Sequence, residues 1–159
     1  MKFDKIKSYA KINLALNVIG KTHHLHTIES LISFVDLHDI IMIKSIKSNK
    51  HNISFTGKFC KNITKQNTIS TLLKVLENKK LLNNQKFKIK IKKQIPNKAG
   101  LGGGSMNAAS ILKYFIKKKI IANNKKKVME ISKLIGSDVI LGLKSTNSIL
   151  TSTNKIKYF

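Results

Sequence analysis

The sequence predicts one mixed α+β domain over residues 1–159. The chain of 159 residues is long enough for one domain with a substantial core, and its 42% apolar content is typical of a globular protein. Apolar residues recur with the period of a strand in some segments and with the period of a helix in others. The helical segments are scattered among strands, several of which follow one another as in hairpins, and this order indicates an α+β fold.

The first third of the chain predicts four strands. Residues 8–20, SYAKINLALNVIG, alternate so that one face is polar and the other is apolar and packs on a core. The polar face carries Tyr9, Lys11, Asn13, Ala15 and Asn17, and the apolar face carries Ala10, Ile12, Leu14, Leu16 and Val18. Residues 27–37 and 39–47 predict two further strands with a turn near Asp36 to Asp39, and residues 51–55 predict a short one.

The rest of the chain mixes both kinds of element. Residues 66–82 have apolar residues at helical spacing, residues 86–93 alternate strictly, and a helix is expected from about Ser105. Residues 123–136 predict a loop and a further helix, and residues 137–143 predict a short element. Residues 147–159 resemble a strand pair that is cut short.

The charge is extreme, because the formal net charge is +24 and all 31 basic residues are lysine. Such a balance suggests polyanion partners. A lysine-rich background composition throughout the chain would also produce this charge. Arginine favours bidentate recognition of bases and phosphates, so its absence makes the background composition the better explanation.

Location follows from what the sequence lacks. No apolar run is long enough to span a membrane, the N-terminus has no signal-peptide core, and the lone Cys60 cannot form an internal disulfide framework. The sequence therefore predicts a cytoplasmic protein.

The stretch AGLGGGSMNAAS, residues 99–110, holds four of the eight glycines within five positions, directly before a predicted helix. Such a junction exposes backbone N–H groups to an anion. The two common phosphate loops do not match, because no lysine follows Gly104 and Ser105 stands where a dinucleotide fingerprint has its third glycine. From the residue types alone, a bare turn is as well supported as a phosphate cradle.

Three stretches together carry a resemblance. They are residues 95–110, IPNKAGLGGGSMNAAS, residues 10–39, which begin AKINL, and residues 134–143, LIGSDVILGL. In order and position they are similar to motifs of the GHMP kinases, and in particular to those of the 4-diphosphocytidyl-2-C-methyl-D-erythritol kinases. The resemblance implies the N-terminal GHMP kinase fold, like domain 2 of ribosomal protein S5, with the C-terminal GHMP domain absent.

The family's functional residues can be placed on the matching positions. The resemblance implies that Asp138 is the catalytic base and that Lys11 pairs with it and polarises the reacting hydroxyl. The acceptor substrate would contact Tyr9, Asn13 and His26. ATP, with Mg²⁺, would bind the glycine loop through Pro96, Lys98, Ala99, Gly100, Leu101, Gly102, Gly103, Gly104, Ser105, Met106, Asn107 and Ala108.

The sequence also departs from the family's pattern. Leu25 stands where the family has a stacking tyrosine, Met106 replaces a serine of the glycine loop, and Ile140 replaces a proline. Three histidines lie within residues 23–26, but no Cys or carboxylate accompanies them at metal-ligand spacing, so no protein metal site is expected.

Three functions remain open at this point. The first is ATP-dependent phosphorylation of the 2-hydroxyl of 4-diphosphocytidyl-2-C-methyl-D-erythritol, a small-molecule step of non-mevalonate isoprenoid biosynthesis. The second is an inactive relic that binds nucleotide and transfers nothing. The third and least favoured is a basic RNA-binding module of the S5-like fold, since shared fold alone says little about function.

Overall fold

A computed structural model describes residues 2–21, 26–151 and 155–159, with the side chains of residues 21, 26 and 27 outside the description. It confirms the α+β class. The strands are β1 (Asp4–Lys21), β2 (His26–Ile46), β3 (Asn52–Thr56), β4 (Lys86–Lys92), β5 (Ser148–Leu150) and β6 (Ile156–Tyr158). The helices are α1 (Thr68–Asn78), α2 (Gly103–Lys117), α3 (Lys125–Ile135) and α4 (Val139–Lys144).

The sheet is organised around β2. One side of β2 pairs antiparallel with β1 along nearly its whole length, and the other side pairs with β4 and, further along, with β5. Strand β3 lies parallel to β4, with α1 as the connection between them, while β6 pairs antiparallel with β5. The predicted strand pair near the C-terminus is thereby confirmed.

The predicted turn near Asp36 to Asp39 is wrong, because β2 runs through it as one strand. The register explains how: Tyr9 pairs with His38, but the next residue, Ala10, pairs with Val35. Two residues of β2 therefore face no partner on β1, as in a β-bulge. The polar residues that suggested a turn lie in this irregularity.

The predicted apolar face of β1 is wrong beyond its first part. Ala10 is fully buried, but Leu14, Leu16 and Val18 are 60%, 51% and 59% exposed. The register shifts between Asn13 and Ala15, so that Lys11, Asn13, Leu16 and Val18 pair with alternate residues of β2, at positions 34, 32, 30 and 28. One extra residue thus moves Leu16 and Val18 to the face that carries Lys11 and Asn13.

The main core lies between one face of the sheet and the helices. Strands β2 and β4 contribute alternate buried residues, and the first three helices cover them with aliphatic side chains. The buried residues of the two strands are Ile41, Ile43, Phe87, Ile89 and Ile91. A smaller cluster joins α2 to α4 and the sheet through Ile32, Met106 and Leu141.

Helix α1 begins at a reciprocal cap. The side-chain oxygen of Asn67 accepts hydrogen bonds from the backbone N–H groups of Ile69 and Ser70, and the Ser70 hydroxyl accepts one from the Asn67 N–H. This cap fixes the position of Thr68. In the part of the chain that the structure describes, none of the helices is both long and apolar enough to cross a membrane.

Candidate active site

The three stretches that are distant in sequence meet in the structure. The backbone N–H of Lys11 donates to the carbonyl of Leu101 (3.1 Å), which joins β1 to the glycine loop. A Cβ atom on Gly136 would lie 3.8 Å from the Ser105 hydroxyl, so the segment before α4 also borders the loop. The loop is therefore packed between the other two motifs.

Lys11 and Asp138 form an ion pair beside the loop. The Lys11 ammonium lies 3.2 Å from Asp138 Oδ2 and donates to Asn13 Oδ1 at 3.2 Å. The lysine side chain is 8% exposed, whereas that of Asp138 is 37% exposed. Asp138 occupies the N-cap position of α4 but makes no capping bond with its side chain. Its carboxylate is thus open to a molecule that arrives from solvent.

Helix α2 begins with a bare first turn. Gly102 is its N-cap, with φ of 66°, and makes no side-chain capping bond. The helix starts at Gly103, two residues before the expected start, so the N–H groups of Gly103, Gly104 and Ser105 have no helical carbonyl to bind. Free N–H groups at the positive end of the helix dipole favour an anion.

A cavity of about 250 Å³ lies over this first turn. Two lysines, Lys93 and Lys98, line it together with backbone and mostly small side chains. The lining residues are Thr68, Lys93, Pro96, Asn97, Lys98, Ala99, Gly100, Leu101, Gly102, Gly103, Gly104 and Ser105. All residues from Pro96 to Ser105 that the sequence assigned to the nucleotide therefore line one cavity.

The remaining three residues assigned to the nucleotide do not line the cavity. Met106, Asn107 and Ala108 are 2%, 1% and 0% exposed within α2. The Met106 side chain packs with Ile32 and Leu141, on the far side of the helix start. Where the family pattern has a serine, this chain therefore has a packing residue that links α2 to the sheet and α4.

The structure adds cavity residues that sequence reasoning missed. Thr68 stands at the start of α1, where its hydroxyl would lie 2.9 Å from a Cβ on Gly104. The side chain of Asn97 donates to the carbonyls of Phe59 (2.7 Å) and Lys61 (3.2 Å), which anchors the loop. No local pattern marks Thr68, because its role depends on how α1 packs against α2.

Lys93 could have been found from the strand pattern. The alternation that buries Phe87, Ile89 and Ile91 places residue 93 on the same inward side. A lysine at an inward position signals a buried charge that needs a partner. That partner is Asp39, since the Lys93 ammonium donates to the Asp39 carboxylate, with side chains 4% and 0% exposed.

The residues assigned to the acceptor substrate differ in where the structure places them. Asn13 is held by Lys11, within the site. Tyr9 lies across a register shift from them and packs on His38, with 5.4 Å between ring centroids. Leu25 lies outside the described residues, as does the side chain of His26. Within the described ranges, no group of three His, Cys, Asp or Glu side chains could hold a metal ion.

Comparison with known proteins supports the same picture. The family model of the GHMP kinases N terminal domain matches residues 67–149. A 4-diphosphocytidyl-2-C-methyl-D-erythritol kinase of Pelagibacter ubique is 63% identical over 98% of this chain and 55% of its own length. The protein of that name from Clostridium perfringens is 38% identical over 85% of this chain and 46% of its own.

Solved structures agree on the fold. A 4-(cytidine 5'-diphospho)-2C-methyl-D-erythritol kinase superposes with a TM-score of 0.78 at 22% identity, over 98% of this chain and 55% of that one. The mevalonate kinase of Methanococcus jannaschii superposes with a TM-score of 0.62 at 16% identity, over 99% of this chain and 56% of that one. The chain spans about half the length of these relatives. Since the family model matches more than half of its residues, the chain belongs to the GHMP kinase family.

Proposed function

We propose that the chain forms the ATP-binding half of a kinase that phosphorylates the 2-hydroxyl of 4-diphosphocytidyl-2-C-methyl-D-erythritol, a step in isoprenoid precursor biosynthesis. The observation that carries this proposal is the convergence of the glycine-loop cavity with the Lys11–Asp138 pair. The relatives named for this activity support the choice of substrate. A cytoplasmic location remains a prediction of the sequence.

The cavity suits the phosphates of ATP. They would accept hydrogen bonds from the free N–H groups at the start of α2, and Lys98 would offset part of their charge, whereas the charge of Lys93 is already balanced by Asp39. The glycines keep this wall free of side chains. Gly100, for example, has no atom within 4 Å of the place where a Cβ would lie, so the space above it is open.

The transfer step uses the ion pair. The hydroxyl oxygen of the acceptor attacks the γ-phosphorus, the bond from that phosphorus to the bridging oxygen breaks, and ADP leaves with the electron pair. The hydroxyl proton passes to the Asp138 carboxylate, which is accessible enough to meet it. The Lys11 ammonium stabilises the charge that develops on the attacking oxygen.

Magnesium would be carried mainly by ATP. This ion keeps several waters and needs only one or two protein oxygens when phosphates supply the rest, so the lack of a carboxylate cluster among the residues that the structure describes is compatible with it. Ser105 and Thr68, which line the cavity, could each offer a hydroxyl oxygen to the ion. When bound, the ion neutralises phosphate charge; positioning and proton transfer are left to the protein.

The test is a kinase assay with ATP, Mg²⁺ and 4-diphosphocytidyl-2-C-methyl-D-erythritol, with the phosphorylated product identified by mass spectrometry. The chain is assayed alone and with the second half of the Pelagibacter ubique relative added as a separate polypeptide, because this chain matches only half of that protein. We expect Asp138→Asn to lower the rate about 100- to 1000-fold, as loss of a general base does.

Glu130→Gln is the matched control, since Glu130 is exposed on α3 and its change also removes one negative charge. It should keep the rate within about twofold of wild type, as surface changes usually do. Transfer that survives Asp138→Asn unchanged would overturn the assignment of the base. Tight ATP binding with no transfer in either format would support the relic instead.

A further inference from the structure

The glycine loop is attached at both of its ends to one buried carboxylate. Asp39, on β2, is fully buried. Its Oδ1 accepts the backbone N–H groups of Gln94 (2.7 Å) and Ile95 (2.9 Å), at the point where β4 leads into the loop. Its Oδ2 accepts from the side chain of Asn107 (2.8 Å), one turn beyond the loop in α2.

Lys93 adds a fourth donor to the same carboxylate. Its ammonium binds Asp39 Oδ2, lines the nucleotide cavity, and lies 3.2 Å from the place where a Cβ on Gly103 would be. The carboxylate therefore holds the entry to the loop, the exit from it and one cation in its wall. Residues 96–106 span the interval between these fixed points.

A contribution to folding stability does not by itself explain this buried network. A buried ion pair is often no more stable than well-packed apolar residues of the same volume. Asn107 adds a further cost, because its amide nitrogen must face Asp39 and its buried Oδ1 has no hydrogen-bond partner among the described residues. The network places two charges and an unsatisfied oxygen beneath the loop. What it provides in return is a fixed geometry of the loop.

We propose that Asp39 is a positioning residue for the nucleotide: through Asn107 and Lys93 it fixes the glycine loop and the start of α2 in the arrangement that receives phosphates. This inference rests on the proposed function only in naming the ligand as ATP. Asp39 lies beneath the loop and acts through the groups it binds, whereas Lys11 and Asp138 face the reacting atoms.

Three variants change different hydrogen bonds of this network, so that their contributions can be measured one by one. In Asp39→Asn the remaining oxygen can still accept from Gln94 and Ile95, but an amide nitrogen now faces the donors of Lys93 and Asn107. Asn107→Ala cuts only the bond to α2 and leaves the ion pair intact. In the exchanged pair Asp39→Asn with Asn107→Asp, the amide at position 39 donates to the carboxylate at position 107, so the bond to α2 is restored while the bond from Lys93 is not.

Two readouts are made on each variant, under conditions where unfolding curves show it to be folded. One is the affinity for the non-hydrolysable analogue β,γ-imido-ATP. The other is amide hydrogen exchange without nucleotide, compared between residues 100–105 and residues 87–91 of β4. Exchange in β4 is the internal control, since a general loss of stability would raise exchange in both segments.

We expect Asp39→Asn to weaken the affinity about tenfold, or about 1.4 kcal/mol. It should speed exchange at residues 100–105 and leave residues 87–91 unchanged. Asn107→Ala should do the same to a smaller extent, and the exchanged pair should recover part of the affinity, because it restores the bond to α2 but not the one from Lys93. If Asp39→Asn does not fold, Asn107→Ala and the exchanged pair carry the test.

The inference is overturned if loop exchange stays at the wild-type rate in both single variants, or if the exchanged pair is no better than Asp39→Asn. Failure of the proposed function gives a different result. A chain that is not a nucleotide-binding half would not bind the nucleotide analogue, and the relic would bind it without transferring phosphate, while in both cases the exchange measurements would still report whether Asp39 fixes the loop.

Discussion

Two lysine–carboxylate pairs flank the glycine loop, and they differ in exposure. In the pair Lys11–Asp138 the side chains are 8% and 37% exposed, and the carboxylate makes no capping hydrogen bond to α4. In the pair Lys93–Asp39 they are 4% and 0% exposed, and four donors surround the carboxylate. We therefore expect the same two functional groups to serve differently, because an open carboxylate is accessible to a substrate and an enclosed one holds its donors in place.

The largest expected effect is the loss of folding stability when the Lys93–Asp39 pair is broken. Asp39→Ala leaves the Lys93 ammonium buried without a partner, and we expect it to lower the free energy of unfolding by about 3 to 5 kcal/mol. Asp138→Ala, by contrast, should change it by less than about 1 kcal/mol, because the pair it breaks is partly exposed. Urea unfolding of both variants measures the difference, and equal losses would show that exposure does not distinguish the pairs.

A second prediction concerns the contact between the loop and the open pair. Gly102 and Gly100 both have positive φ, 66° and 74°, so alanine at either costs about 1 to 2 kcal/mol. A Cβ on Gly102 would also lie 2.8 Å from Lys11 Cγ, whereas one on Gly100 would meet nothing within 4 Å. Gly102→Ala should therefore destabilise more in urea unfolding and lower the transfer rate more than Gly100→Ala.

Gly100→Ala is the matched control, because it carries the backbone strain without the clash. If the two variants behave alike, the loop does not set the position of Lys11, and the contact between these motifs has no consequence for the pair.

The smallest effect comes from His51, a buried titratable group remote from both pairs. Burial lowers the pKa of His51 below its usual 6.5, although the charge of Glu77 opposes this, and its Nδ1 accepts the backbone N–H of Phe87 at 3.0 Å. Between pH 6.5 and the lower folded pKa the unfolded chain binds more protons, so stability falls as the pH falls through this window. We expect a loss of less than about 1 kcal/mol between pH 7.5 and 5.5.

His51→Asn can still accept from Phe87 but does not titrate, so its stability should lose this part of the pH dependence in unfolding curves at the two pH values. Nucleotide affinity should be unaffected in this variant. A pH dependence identical to that of wild type would assign the effect to other groups.

Much of the fold could be predicted because it is set by local patterns. The alternation in β4 and the helical spacing in α1 each gave the right element, and the glycines of residues 100–104 marked the start of α2 to within two residues. What failed depended on pairing between strands. One extra residue near Leu14 moves Leu16 and Val18 to the other face, and nothing in the alternation of β1 alone reveals it.

The residues of the site likewise divide into those that local sequence motifs suggested and those that depend on packing between distant elements. Motif similarity suggested Lys11, Asp138 and the loop, and the structure brings these together. Asp39 was not among the candidates, although an inward-facing acid in line with Ile41 and Ile43 is a visible sign of a buried charge. Its partners could not be predicted, because Lys93 and Asn107 reach it only through the packing of β4 and α2 on β2.

We infer that the enclosed pair shapes the nucleotide site and that the open pair performs the transfer. The most direct test is the affinity of wild type, Asp39→Asn and Asp138→Asn for β,γ-imido-ATP, measured by titration calorimetry. We expect about tenfold weaker binding for Asp39→Asn, and binding within about twofold of wild type for Asp138→Asn. Wild-type affinity in Asp39→Asn, or a loss in Asp138→Asn as large as that in Asp39→Asn, would contradict it.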